Sequence, residues 1–446
     1  MSWHARDPVA MTDYDDAPLR RFHLRVAVAS TGGVFADGFG LGIIGIALSL
    51  AAPELGLGAL WQGLLGGASL AGLFAGALLT GPAADHLGRR PIFAYNMLIA
   101  AALSALQYLA ASGGQLLALR IAIGFLLGTD YVVSKALLSE FAPLRLRGRI
   151  LGVLSIAWAG GYACAYACGF ALSALGPESW RWMLLTSAAP CLLIAPWRLG
   201  MPESPVWLLK HGLPERAAQI VRHRLGEHIR PPAVVAAPVA QSGRWRQLFG
   251  PRWRLRTLVA CTFFTCQVIP YFAVGTFVAQ VMSALHLHGG YAGGLVYNLA
   301  LFAGAVFGLM IVDRLSRRGF LVGSFLVAAL TMGILTAWPD AAPSMQILLF
   351  ALFAGVLSAA SNLVYVYLPE LFPTDLRASG IGIAVAASRV GSAVGTFLLP
   401  VVVAAYGVRM ALEACVAVLA VGAIVCYRWA PETRFLRLDA LEHEAA

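Results

Sequence analysis

Long apolar runs of about 20 residues alternate with short polar loops along the whole chain. A helix rises about 1.5 Å per residue, so each run is long enough to cross a ~30 Å hydrocarbon core. The runs predict twelve spans, at 24–50, 60–80, 92–112, 115–138, 150–174, 182–200, 257–283, 291–312, 319–338, 345–367, 379–404 and 408–429. They lack the two-residue alternation of a membrane β-strand. Backbone groups in lipid must be satisfied internally, so the pattern predicts an all-α polytopic membrane protein.

The polar loops repeat. Residues 81–91 read Gly-Pro-Ala-Ala-Asp-His-Leu-Gly-Arg-Arg-Pro, and 308–318 carry a related loop around Asp313. Asp85 and Asp313 lie 228 residues apart, Glu140 and Glu370 lie 230 apart, and Pro202 and Pro431 lie 229 apart. Three loops in one register predict two pseudo-symmetric six-helix bundles, related by an axis along the membrane normal. The expected divisions are an N-terminal tail at 1–23, a first bundle at 24–202, a loop at 203–256, a second bundle at 257–430 and a tail at 431–446.

Composition agrees with this picture. Of 446 residues, 59% are hydrophobic and 12% charged, about half the charged share of a soluble domain. The net charge of +10 is no sign of nucleic acid, because its distribution is topological. Arg20, Arg21, Arg25, Arg89, Arg90, Arg145, Arg147 and Arg149 fall on one side of the spans, as do the cations between Lys210 and Arg256 and Arg314, Arg317, Arg318, Arg377, Arg428, Arg434 and Arg437. The opposite loops hold only Arg181 and Arg409. The positive-inside rule makes the first side, and both termini, cytoplasmic. The seven cysteines lie within apolar runs without metal-ligand spacing and read as packing residues. No apolar segment precedes residue 24, so no cleavable signal is expected, and residues 1–20 read as disordered. Residues 214–228 have amphipathic helical spacing, Pro231, Pro232 and Pro238 mark a linker, and the Trp245–Arg254 stretch reads as a juxtamembrane anchor.

These motifs resemble the major facilitator superfamily, and within it the sugar-porter-like metabolite:proton symporters. The resemblance covers nearly the whole chain. It rests on Gly81, Asp85, Gly88-Arg89-Arg90, Arg120, Glu140, Arg147-Gly148-Arg149, Pro202-Glu203-Ser204-Pro205-Val206-Trp207-Leu208, Asp313-Arg314, Arg317-Arg318, Pro369-Glu370-Leu371-Phe372-Pro373, Arg377 and Pro431-Glu432-Thr433. It implies alternating access. It also implies a cytoplasmic latch between halves, formed by Asp85, Arg89, Arg90, Glu140 and Arg147 with Asp313, Arg314, Arg317, Glu370 and Arg377, which favours the outward-open state. The chain departs from sugar porters in three places. Val206 stands where Arg is usual, and Gly40 stands where the first span usually carries Asp. Gln267 alone remains of the paired glutamines in the seventh span. These departures argue against hexose. Gly128-Thr129-Asp130-Tyr131 resembles phosphate and other metabolite symporters, but the seventh span does not look like a phosphate site.

An ionisable residue at the centre of a span costs about 2.5–3.5 kcal/mol on insertion, so each one asks for a reason. Asp37, Arg120 and Asp130 are the candidates for proton coupling. Taking Arg120 as zero, Asp130 falls at about −80° and Lys135 at about +60° on the fourth helix, one broad face. Burial favours a protonated carboxyl and a nearby arginine favours the carboxylate, so alternating access could load and release a proton. The family resemblance implies the same coupling through a first-span acid and the fourth-span arginine. Structural ion pairing among them is the plain alternative, and Lys135 could instead snorkel or pair with Glu140. Substrate candidates are Lys135, Gln267, Tyr271, Asn298, Asn362, Tyr365 and Arg389; for the amides, interhelical hydrogen bonding is an equal reading. Arg120, Lys135 and Arg389 outnumber Asp37 and Asp130, which points to an organic anion or carboxylate.

The reading is a secondary active transporter, with a proton-coupled exporter or a non-transporting membrane sensor as alternatives. No cluster has metal or nucleophile spacing, so neither enzyme chemistry, cofactor nor metal is expected. The expected partners are a small-molecule substrate, protons and membrane lipid, for a monomer in the inner membrane.

Overall fold

The computed structural model describes residues 12–232, 244–285 and 290–434, without the side chains of 15, 144–149, 244, 245, 290, 374, 375 and 378. Ten of its helices are long and apolar enough to cross a membrane. The last, Thr374–Trp429, contains Gly407 at φ 84°, a left-handed conformation that breaks it into the eleventh and twelfth passes. Ser179–Thr186 and Ala188–Arg198 follow one another across Ser187 as the sixth pass. The described residues thus make twelve passes and no named strand.

The first five spans are Arg21–Glu54, Ala59–Leu87, Arg89–Leu106, Gly113–Phe141 and Leu144–Ser173. The seventh, Arg254–Thr276, kinks at Phe277 and continues as Val278–Ala284; the eighth and ninth are Gly290–Ile311 and Arg317–Ala337. The tenth, Pro343–Ala360, breaks at Ser361 and Asn362 and continues as Leu363–Glu370. Expected and observed span ends agree to within seven residues, the largest difference being the second span, which runs on to Leu87. The kinks at 277 and 361 fall inside apolar runs, where hydropathy carries no signal.

Lipid is as apolar as leucine, so burial alone does little to hold these helices together; close backbone packing does more. A Cβ at Gly72 or Gly76 in the second span would lie 2.2 Å from the Ile121 carbonyl oxygen or 2.0 Å from that of Phe125. Gly124 and Gly128 return the arrangement, at 2.2 Å from the oxygens of Ser69 and Leu73. The second half repeats it: Gly304 and Gly308 meet Gly355 and Ala359 at 2.2 and 2.4 Å. Large apolar side chains such as Leu79, Leu193, Leu330 and Ile424 are exposed on the outside, as a lipid-facing surface requires.

The halves meet where the second span packs on the eleventh and the fifth on the eighth. At the ends away from the arginine-rich loops they close tightly. A Cβ at Gly45 would lie 1.9 Å from the Thr276 oxygen, and one at Gly66 would lie 2.6 Å from the Phe277 ring. The hydroxyls of Ser49 and Tyr291 sit 3.0 Å apart.

On the other face, the amphipathic helix is Pro214–Leu225, shorter than the expected 214–228 because Gly226 ends it at φ 123°. Its Ala217, Val221 and Leu225 are buried. Residues 12–20 are ordered, against the expectation of disorder. Thr12 pairs with Ile229, and the Tyr14 hydroxyl donates to the Glu140 carbonyl at 3.0 Å. Tyr14 and Ala17 bury their apolar surface in the first half, a contact invisible in a polar stretch.

Candidate functional site

A cavity of about 800 Å³, open solvent at its mouth included, lies between the halves. The first, second, fourth and fifth spans line it from one side, the seventh, tenth and eleventh from the other. Asp37 and Ser155 supply polar groups from the first half, and Gln267, Ser358, Ser361 and Arg389 from the second. Trp158 anchors an aromatic wall. Its ring lies 5.3 Å from Tyr162, 5.8 Å from Tyr271 and 5.7 Å from Phe272, centroid to centroid.

Two cations converge on Tyr131, another lining residue. The Lys135 ammonium stands 3.4 Å from the Tyr131 ring centroid and 4.7 Å from that of Tyr365. The Arg389 guanidinium stands 5.3 Å from Tyr131 and 6.0 Å from Phe264. Arg389 is buried, and its Nε has no hydrogen-bond partner among the described residues. Aromatic faces stabilise these cations without neutralising them. Lys135 faces the rings, while Glu140 takes Arg89 instead.

The acids behave differently from one another. Asp130 is clamped by Arg198, a residue of the sixth span that the motif argument did not select. Arg198 Nη1 donates to Asp130 Oδ1, and Nη2 donates to Oδ2 at 3.0 Å. Nη2 also reaches Ser134 Oγ at 3.2 Å, and Nε donates to the Ala29 carbonyl at 3.1 Å. Ser134 donates to Asp130 Oδ2 at 3.0 Å. Both charged side chains are fully buried, and the Phe93 ring lies 4.2 Å from the guanidinium. Only glycine fits at position 33, where a Cβ would lie 1.5 Å from Arg198 Nη2. Asp37, one turn on from Gly33, neighbours this pair electrostatically but lines the cavity, and its Oδ1 has no partner among the described residues. Neither Asp130 nor Arg198 lines the cavity. Arg198 lies two residues inside the expected end of its span, where an arginine ordinarily snorkels to headgroups. Its only signal in the sequence is that position just short of the end.

Arg120 is placed apart from both acids. It is fully buried, with Nη1 donating to the Gly40 carbonyl at 2.9 Å and with Nε and Nη2 unpartnered among the described residues. Gly40 is the position at which sugar porters usually carry Asp, and a Cβ there meets nothing within 4 Å. The substitution Gly40→Asp is therefore expected to add a counter-charge and stabilise the fold by about 2 kcal/mol. Thermal unfolding in detergent reads this as a raised midpoint.

Gln267, Tyr271 and Tyr365 line the cavity. The Gln267 amide nitrogen donates to the Leu357 carbonyl at 3.0 Å, leaving Oε1 unpartnered. Asn298 and Asn362 lie outside the lining and serve packing bonds. Asn298 donates to Gly294 of its own helix at 2.8 Å, and Asn362 joins the tenth span to Ala305 of the eighth at 3.1 Å.

The loop charges form two matching clusters. Arg89 reaches Glu140 at 3.1 Å and Asp85 at 3.6 Å; Arg317 reaches Asp313 at 3.3 Å and Glu370 at 3.5 Å. Each of these pairs stays within its own half, rather than crossing the pseudo-twofold as the latch expectation had it. Arg90 and Arg314 are exposed, and Arg377 Nε donates to the Phe372 carbonyl at 3.4 Å. The side chain of Arg147 lies outside the described residues. Glu203 accepts the backbone N–H groups of Arg89 and Arg90, both at 3.0 Å, and Glu432 accepts those of Arg317 and Arg318 at 2.9 and 3.2 Å. A carboxylate thus caps the N-terminus of the third and ninth spans, where the helix dipole favours negative charge. Burial pushes the Glu432 carboxyl up, but the N–H groups of Arg434, Arg317 and Arg318 together outweigh it and hold its pKa below the ordinary value.

A family model described as sugar (and other) transporter matches residues 25–445. The inner membrane metabolite transport protein YgcS of Escherichia coli K12 is 41% identical over 97% of this chain and 96% of its own. The niacin transporter NiaP of Acinetobacter baylyi is 26% identical over 84% of this chain and 86% of its own. Among solved structures, a partially occluded inward-open form of the xylose transporter XylE from E. coli superposes with a TM-score of 0.79, at 18% identity over 94% of this chain and 100% of its own. That last likeness is one of fold. The relatives are transporters and not enzymes. With its duplicated six-helix halves and central cavity, the chain is a metabolite transporter that belongs to the sugar (and other) transporter family of the major facilitator superfamily.

Proposed function

We propose that this transporter carries a small organic anion, a carboxylate, together with one proton across the inner membrane. The observation that carries the reading is the charge balance of the cavity. Arg389 lines it and Lys135 stands behind the lining Tyr131, and Asp37 is the one acid among the described residues that lines it. A buried cation without a counter-charge is costly, so an anionic ligand is the natural complement.

Asp37 serves as the proton carrier in this reading. Both oxygens of Asp130 are taken up by Arg198 and Ser134 outside the cavity lining, so the pair serves the fold in this reading. Asp37 lines the cavity, and its Oδ1 has no partner among the described residues. Protonated, it gives up its claim on the cavity cations, and the substrate carboxylate takes its place. On release to the cytoplasm both leave together, and the Asp37 carboxylate again offsets the cations for the return. Alternating access moves this exchange between sides, with both termini cytoplasmic by the charge rule and the monomer as the working unit. The loop clusters around Arg89 and Arg317 act as the cytoplasmic gate in this scheme. They are self-contained with the far side closed, and their exposed acids Asp85 and Asp313 become available to the opposite half when the cytoplasmic side closes.

The test is uptake of labelled monocarboxylates and labelled D-xylose into proteoliposomes, with protein-free liposomes as control. A carboxylate is expected to accumulate about tenfold per unit of inward proton gradient, the limit for one proton. Accumulation that ignores the gradient, or xylose as the sole cargo, contradicts the proposal.

A further inference from the structure

We infer that the cargo is a flat aromatic monocarboxylate, an inference that rests on the organic-anion reading and narrows it. The cavity divides by chemistry. One end holds Lys135 and Arg389 around Tyr131. The remaining wall is Trp158 with Tyr271 and Phe272, all three within one ring-packing cluster. Leu41, Leu73, Leu127, Val268 and Val364 close the space between them. A ligand matching this arrangement has one anionic end and an apolar body that stacks on rings.

Hydrogen-bonding capacity sets the limit on that body. A sugar or sugar acid carries a hydroxyl on almost every carbon, and each one buried without a partner is penalised. Two polar groups of this cavity are already committed: the Gln267 amide to the Leu357 carbonyl at 3.0 Å and the Ser361 hydroxyl to the Ser358 carbonyl at 2.6 Å. The buried lining atoms without partners among the described residues are Arg389 Nε, Gln267 Oε1 and Asp37 Oδ1. Arg389 Nε binds the carboxylate, Asp37 carries the proton, and Gln267 Oε1 accepts one N–H or O–H from the body. An aromatic body asks fewer hydrogen-bond partners of the lining than a polyol does, and a purely aliphatic acid leaves the aromatic faces unused.

The test is calorimetric binding to the purified full chain in lipid nanodiscs. The aromatic acids are benzoate, nicotinate, 4-hydroxybenzoate and indole-3-acetate. Their controls are benzamide and nicotinamide, cyclohexanecarboxylate, gluconate and D-xylose. At least one aromatic acid is expected to bind at least about tenfold more tightly than its amide and than cyclohexanecarboxylate or gluconate. In Arg389→Gln the preference for acid over amide is expected to vanish, and in Trp158→Leu the preference for the aromatic ring. Tighter binding of gluconate or cyclohexanecarboxylate overturns the aromatic class and leaves the anion reading standing. Tighter binding of an amide or of xylose overturns both. Failure of all four aromatic acids to bind overturns the inference.

Discussion

In Asp37→Asn, gradient-driven accumulation of substrate is expected to fall by about a hundredfold or more, while substrate exchange across equal pH stays within about threefold of the parent. Asparagine keeps the shape of the protonated acid and removes its titration. Exchange of one substrate molecule for another needs only the loaded form, which asparagine mimics. Net uptake needs an empty carrier that returns, and that step requires the Asp37 carboxylate to offset Arg389 and Lys135. The readout therefore separates coupling from folding, because a misfolded variant loses exchange as well. Equal loss of both activities, or loss of neither, removes Asp37 from the coupling step.

In Arg198→Met, the fold is expected to lose about 3–5 kcal/mol, because the fully buried Asp130 is left without its counter-charge. The clamp uses three nitrogens on four acceptors, so lysine does not replace it. The double variant Asp130→Leu with Arg198→Met is expected to recover most of the loss, as a buried pair replaced by apolar residues often does. Thermal unfolding in detergent, with size-exclusion yield, measures both. If the single variant melts with the parent, the pair is not structural, and the division of labour between Asp37 and Asp130 fails with it.

Much of this architecture is written in the apolar runs and the loop repeat. Hydropathy needs only length and composition, and twelve helices in lipid leave few ways to satisfy the backbone. The offset of Asp85 and Asp313 located the matching clusters, since each half uses the same arginine, glutamate and capping acid. Partner choice within those clusters was not legible. Arg89 and Arg317 turn inward to their own halves, and whether a long flexible side chain pairs within or across is decided by tertiary distances. The same limit applies to Asp130. Helical angles placed Arg120 and Asp130 on one broad face, but ten residues of rise hold them apart, and Arg198 approaches from another helix. Gln267, Tyr271, Tyr365 and Arg389 reach the cavity or its edge as their depth in the spans suggested. Asn298 and Asn362 have the same depth and the same polarity, yet the first bonds a carbonyl of its own helix and the second joins two spans. Rotation about the helix axis separates the two outcomes, and a lone polar residue in an apolar run does not report it.

One acid free to titrate and one anion carried together imply an electroneutral cycle. The most direct measurement records current on a supported membrane and external pH in parallel, on proteoliposomes given the carboxylate that accumulates best. The account predicts a rise in external pH that tracks substrate entry, with no net current and no response to membrane potential. A sustained inward current carried by the transported substrate, or substrate entry that leaves the external pH unchanged, contradicts it.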